Sequence, residues 1–178
     1  MKLRAGAAFL ILVCVVIFSL CFGAYRGWSQ ERSRVEENYA GLESMLRTRV
    51  ESAYNVLTVA RRHLNETDEA LQSVIRDRNI LEGKYSLSEK ARANEALTRD
   101  AGELLQKLAG LESVSRDERD SMYVTSYLPQ MLTESEAKAA GANYNSAAAE
   151  FNEKLQSTFS GWIARVLGIR AAEEFIAQ

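Results

Sequence analysis

Histidine and proline are all but missing from this chain, and cysteine is missing beyond its first two dozen residues. One histidine and one proline occur in 178 residues, and the two cysteines, Cys14 and Cys21, sit seven apart in a single apolar stretch. A disulfide framework is thereby excluded. A di-iron helical bundle is excluded as well, because it needs two Glu-x-x-His motifs, and His63 has Ala60 three positions before it. With Glu66 and Glu69 it could catch a stray ion at helical spacing, but one imidazole beside a turn reads more simply as a solvated helix end. No Ser-His-Asp set can be built around it, and no glycine-rich phosphate loop is present. The expectation is a protein with no catalytic, metal or cofactor-binding residues, not an enzyme.

A surplus of one charge is also lacking. Lysine and arginine number 22 against 24 acidic residues, with signs interspersed, so there is no basic face for nucleic acid. Only Lys2 and Arg4 precede Arg26, which leaves 20 basic and 24 acidic residues beyond, a net of −4. With one proline, ten glycines and 47% hydrophobic residues, the composition is that of one ordered domain with an appendage.

The appendage is the run AGAAFLILVCVVIFSLCFGAY, Ala5 to Tyr25, 21 residues without a charge. As a helix it reaches roughly 30 Å, the thickness of a bilayer's hydrocarbon core. It reads as a single-pass membrane anchor, with the lipid bilayer as its partner. Tyr25, Arg26 and Trp28 resemble residues that settle at the membrane interface. A cleaved signal peptide is the rival reading, since Lys2 and Arg4 form a basic start, but its apolar region is usually about 7–15 residues. Small cysteines are ordinary in such a helix.

Beyond the anchor the periodicity is helical. From Val35, the positions Tyr39, Leu42, Leu46, Ala53, Leu57, Ala60 and Leu64 follow in steps of three and four, skipping a turn at Arg49 and Val50. Gly27 is the one weak breaker between this helix and the anchor. HLNETDEAL is a turn, with Asn65 ending one helix and Thr67, Asp68 and Glu69 opening the next. Leu71, Val74, Ile75 and Leu81 mark the second stretch, and Leu97, Ala101, Leu104, Leu108 and Leu111 continue it beyond Gly83 to Ser88, a kink or a loop. Ser115 with Glu118 has capping-box spacing, as does Thr133 with Glu136. At Pro129 the helix either kinks or ends before a new start at Thr133. The last long helix carries Tyr144, Ala148, Phe151 and Leu155, followed by an apolar terminal piece.

No segment alternates as a strand would, and amphipathic helices joined by short turns can bury their stripes only against one another. The expected fold is all-α, an antiparallel up-and-down four-helix bundle behind an N-terminal transmembrane helix. Its parts are a basic N-terminus (1–4), an anchor (5–25), a juxtamembrane helical linker (26–34) and the bundle (35–178).

YAGLESMLRTRVESAYNVL resembles the early segment of the LemA family, where an aromatic-led helix passes through an arginine-rich turn into Arg-x-x-Leu-Ile-Pro-Asn-Leu-Val. NYNSAAAEFN is similar to that family's Tyr-Asn-(five residues)-Tyr-Asn signature, and Ala164, Gly168 and Phe175 fall at its closing Ala-x-x-x-Gly and aromatic positions. VIRDRN, Val74 to Asn79, resembles the motif of its second helix. Arg49 and Asn55 keep their family positions, whereas Tyr54 stands for a proline, Gly141 for an arginine, and Thr158-Phe159 for Phe-Pro. The resemblance implies a membrane-tethered four-helix bundle at the bacterial cytoplasmic membrane.

The repeat of Asn145 at Asn152 needs a reason, because asparagine disfavours helix interiors. In one reading Tyr144 and Phe151 lie on the core stripe and the amides beside them fix helix register; in the other the four residues form a wall of a partner groove. Tyr144, Asn145, Phe151, Asn152, Arg49 and Asn55 are thus the candidate interaction or register positions. Two functions fit: a non-enzymatic interaction or scaffold module that recruits an unidentified membrane or envelope protein, and a ligand-binding or sensory domain signalling through a separate partner. Oligomeric state is open. Lys2 and Arg4 before the anchor nearly balance Arg26, Arg32 and Arg34 after it. Long domains translocate largely regardless of charge, and MKLRAG looks like an export start, so the expectation is a cytoplasmic N-terminus and an extracytoplasmic bundle. LemA-like proteins, by resemblance, point the other way with a short external N-terminus.

Overall fold

The computed structural model describes residues 2–136 and 138–177, with side chains for 6–136 and 140–177. Met1, Ala137 and Gln178 lie outside the described residues, as do the side chains of Lys2 and Arg4 that form the basic N-terminus. Every regular element among the described residues is helical: α1 (Lys2–His63), α2 (Glu69–Glu82), α3 (Leu87–Ala109), α4 (Glu112–Ser115), α5 (Glu118–Met122), a π-helical turn (Tyr123–Tyr127), α6 (Leu128–Glu134), α7 (Lys138–Ser157) and α8 (Phe159–Val166).

Helix α1 runs without interruption from the apolar segment onward. Tyr54, which has the backbone N–H that a proline would lack, lets the helical ladder continue at the point where the family's proline would bend it. The turn that the apolar stripe skips is filled by Arg49, which is 0% exposed. Leu42, Leu46, Ala53, Val56, Leu57 and Ala60 are buried around it.

The interruption expected over 83–88 is a loop confined to 83–86, with Leu87 and Ser88 already in α3. Helix α3 starts with a full capping box, in which the Ser86 hydroxyl accepts from the Glu89 amide at 3.2 Å and the Glu89 carboxylate accepts from the Ser86 amide at 2.9 Å. The two capping boxes expected at 115/118 and 133/136 do not form. Asp117 caps α5 by accepting from the Asp120 amide at 3.0 Å, and Thr133 lies within α6, donating to the Pro129 carbonyl at 3.0 Å. Nor does the helix stop before Pro129, which lies in the first turn of α6. A prolyl ring collides with the carbonyl four residues back, here Thr125, and the wider π turn over 123–127 relieves that collision: the Leu128 amide donates to the Tyr123 carbonyl, five residues back.

The chain forms two compact units, one of Met1–Glu37 with Ser146–Ala172 and one of Asn38–Asn145 with Glu173–Gln178. In the first, the apolar window of α1 has mean hydropathy 2.8 and is 0% buried. Trp28, expected at a membrane interface, is instead 7% exposed and packs edge-on against Phe151 with ring centroids 5.7 Å apart. The turn that closes α8 needs glycine: Gly168 has φ +92°, its amide donates to Arg165, and the Ile169 amide reaches back to the Ala164 carbonyl at 2.9 Å.

In the second unit, α2 and α3 pack together and bury Leu71, Val74, Leu97, Leu104 and Leu108. Each such side chain contributes about 1.5–3 kcal/mol by leaving water. His63, expected in solvent, is enclosed: its Nε2 lies 2.9 Å from the buried Asp120 carboxylate and its Nδ1 3.1 Å from Ser113 Oγ. Arg62 donates to the other Asp120 oxygen at 2.7 Å, so the top of α1 is pinned to α5.

Candidate functional site

Arg49 is the largest fully buried side chain. Its Nη1 donates to the Leu132 carbonyl at 2.6 Å, which also accepts from the Ser135 hydroxyl at 3.1 Å, and towards Ser135 Oγ at 3.4 Å, while Nη2 donates to Thr98 Oγ1 and the Asn94 carbonyl of α3. The fork therefore ties α1 to two other helices through neutral acceptors. Burial pulls the guanidinium below its ordinary range, and the field of Glu136 partly restores it. Asn55, one and a half turns on, is exposed and donates to Met131 Sδ at 3.3 Å.

The two asparagines serve a different partner from the one expected. In the second unit, Asn145 Nδ2 donates to the Phe175 carbonyl at 2.8 Å, and its Oδ1 accepts from the Phe175 amide at 2.7 Å. In the first unit, Asn152 does the same to Ala172, at 2.9 and 2.7 Å. Each side-chain amide thus stands in for a strand neighbour and pairs both backbone groups of one residue in the non-helical segment 169–177. Seven residues of helix rise roughly 10.5 Å and three residues of extended chain cover roughly 10 Å, so asparagines one heptad apart match residues three apart. These amides hold the C-terminal segment, not the register of a neighbouring helix.

Tyr144 and Phe151 lie on the buried stripe of α7. Tyr144 packs against Tyr39 with centroids 5.7 Å apart, and its hydroxyl donates to the Glu173 carbonyl at 2.5 Å. Gly141, where the resemblance would place an arginine, leaves space that Phe175 takes up: a Cβ there would meet the Phe175 ring at 2.8 Å. The same ring, with Asn94, Glu95, Thr98 and Glu136, borders a groove of about 560 Å³ between α3 and the C-terminal segment. Arg49 bonds the outer wall of this groove from behind through Asn94 and Thr98. Asn94 Oδ1 and Arg49 Nε are buried there without a hydrogen-bond partner among the described residues.

Sequence reasoning missed two polar clusters. Asp77 is buried against Arg76, and Asp100 accepts from both Arg76 and Arg99. Burial raises the Asp77 carboxyl, Asp100 adds to that and Arg76 opposes it. The signal was available, since Asp77 and Asp100 each fall on an apolar stripe. The second cluster is Asp120 with His63 and Arg62. Among the described residues no three of His, Cys, Asp or Glu converge as a metal ion would require.

The Tyr-Asn and Phe-Asn pairs, the buried Arg49, the glycine turn at Gly168 and the buried Phe175 all lie within one matched region. No curated protein matches the sequence. A family model described as the LemA family matches residues 38–178, most of the chain, and the protein is accordingly a member of the LemA family.

Proposed function

We propose that this protein is a non-enzymatic interaction or scaffold module anchored in the bacterial cytoplasmic membrane by residues 5–25. The observation that carries the reading is the contrast along α1, whose apolar window is 0% buried while Leu42, Ala53, Val56, Leu57 and Ala60 further along are fully enclosed. A helix with that division satisfies a bilayer at one end and a protein core at the other. Within the second unit, α1, α2, α3 and the α5–α6 rod form the four arms of an antiparallel bundle. Asp120 opposite His63 and Leu132 opposite Arg49 support the antiparallel sense. The polar core groups Arg49, Asn145 and Asn152 are engaged in holding the fold, which favours recruitment by surface over chemistry in a site. The bundle faces the extracytoplasmic side.

The groove beside Asn94 favours a second reading, a sensory domain that binds a small ligand and signals to a separate partner. Affinity purification of the full chain from detergent-solubilised membranes separates the two. A stoichiometric partner protein, lost with Glu95→Arg in a variant of unchanged stability, supports the scaffold. A copurifying small molecule with no partner protein supports the sensor instead.

A further inference from the structure

Helix α8 has one enclosed side and one bare one. Gly161 and Ala164 are buried, whereas Phe159 is 76% exposed, Trp162 54% and Val166 68%. Phe159, Trp162 and Val166 are spaced three and four apart and so share a face, on which the first two rings stack with centroids 6.0 Å apart. Leu167 extends the apolar face, and Arg165 and Arg170 are exposed beside it. An aromatic face this open costs solvation free energy in water.

The first unit says what lies next to that face. Lys154 is 4.0 Å from Glu31, and Glu150, one turn earlier on α7, feels the charge of Arg34. As α7 advances, its partners on α1 step back towards the apolar run, so the two helices are antiparallel there. With Trp28 packed on Phe151 and Glu31 beside Lys154, Phe159 opens α8 level with roughly positions 20–26, at the end of the apolar run that closes at Tyr25. The chain then turns back. Asn152 pairs Ala172 and Arg32 donates to the Arg170 carbonyl at 3.0 Å, which closes the segment between them into a loop whose far end is α8.

We propose that α8 is an interfacial helix, with Phe159, Trp162, Val166 and Leu167 seated in the headgroup and acyl boundary of the same bilayer that α1 spans. This rests on the membrane-anchor reading above. Such a face settles roughly 5–10 Å into the boundary, with the arginines among anionic headgroups. Trp162 then takes the interfacial place that Trp28, buried against Phe151, does not fill.

The test uses full-length protein in vesicles of phosphatidylcholine and phosphatidylglycerol whose acyl chains are brominated near the headgroup. Subtracting the spectrum of Trp162→Phe isolates Trp162 from Trp28, the other tryptophan. The expected result is loss of most Trp162 emission to brominated lipid, with shielding from aqueous iodide, both reversed in a Phe159→Ser/Val166→Ser variant of unchanged melting temperature. Iodide quenching without bromine quenching, in protein that resists alkaline carbonate extraction, overturns the inference and leaves the anchor standing. Shielding from both quenchers assigns the face to a second copy of the chain and also overturns it. Extraction by carbonate removes the anchor reading and this inference together.

Discussion

Arg49 and Asn152 look alike in the sequence, as polar residues on otherwise apolar helices, but they answer to different constraints. Arg49 occupies a stripe position, and its fork serves acceptors on α3 and α6 that lysine's single ammonium cannot span together. Arg49→Lys is expected to cost about 1.5–3 kcal/mol in urea denaturation, as a lower midpoint with the slope preserved; wild-type stability would refute the tie. Asn152→Leu is likewise expected to destabilise, by about 1–3 kcal/mol, because it strands both backbone groups of Ala172, and a more stable variant would show that this pairing does not hold the segment. For Asp77 the sign follows from its raised carboxyl: the folded state disfavours the charged form, so this contribution to stability is present below the usual carboxylate range and lost as pH rises through the folded value. Asp77→Asn should therefore melt higher than wild type at pH 7, and the gap should close towards pH 4; a pH-independent difference would show that ionisation is not the cause. The gap at Arg49 and the repeat of asparagine were both visible beforehand. Their partners were not, since these are mostly backbone carbonyls and amides twenty or more residues away, to which no residue type corresponds.

At the level of elements, the helices were legible from period and the boundaries were not. Of the Ser/Thr-x-x-Glu pairs near helix ends, at 86/89, 115/118 and 133/136, only the first is used as a capping box. The other two lie where the chain has a better option: Asp117 caps α5, and α6 continues through Thr133. A local motif states what a terminus can do, whereas packing decides where the terminus falls. Ser86→Ala is expected to cost about 1 kcal/mol and Ser115→Ala next to nothing, a contrast that thermal melts of the two variants would test. A kink or a stop is the ordinary effect of proline, and the π turn that precedes Pro129 is rare enough to escape any reading of period. Gly168→Ala, at φ +92°, is expected to lose about 1–2 kcal/mol, since an L side chain must enter the left-handed region; an unchanged melt would mean that the turn is not held.

For the molecule as a whole, the apolar run and the stripes that follow it made the all-helical fold with one long apolar N-terminal helix readable in advance, because both are averages over many residues. The proposed orientation is tested by protease on intact spheroplasts, where digestion of the bundle from outside is expected and protection until lysis would reverse it. The segment after α8 was the least readable part, because 169–177 has no secondary structure of its own and its backbone is satisfied partly by Asn145 and Asn152. That has a kinetic consequence. A clasp made of side chains on a helix has nothing to grip until the helix exists, so the C-terminal segment docks after α7 has formed, late in folding. Substituting either asparagine should then leave the refolding rate nearly unchanged and place its cost in faster unfolding, the behaviour of contacts absent from the transition state. Residues 169–177 would govern how long the native state lasts, with little influence on how quickly it is reached.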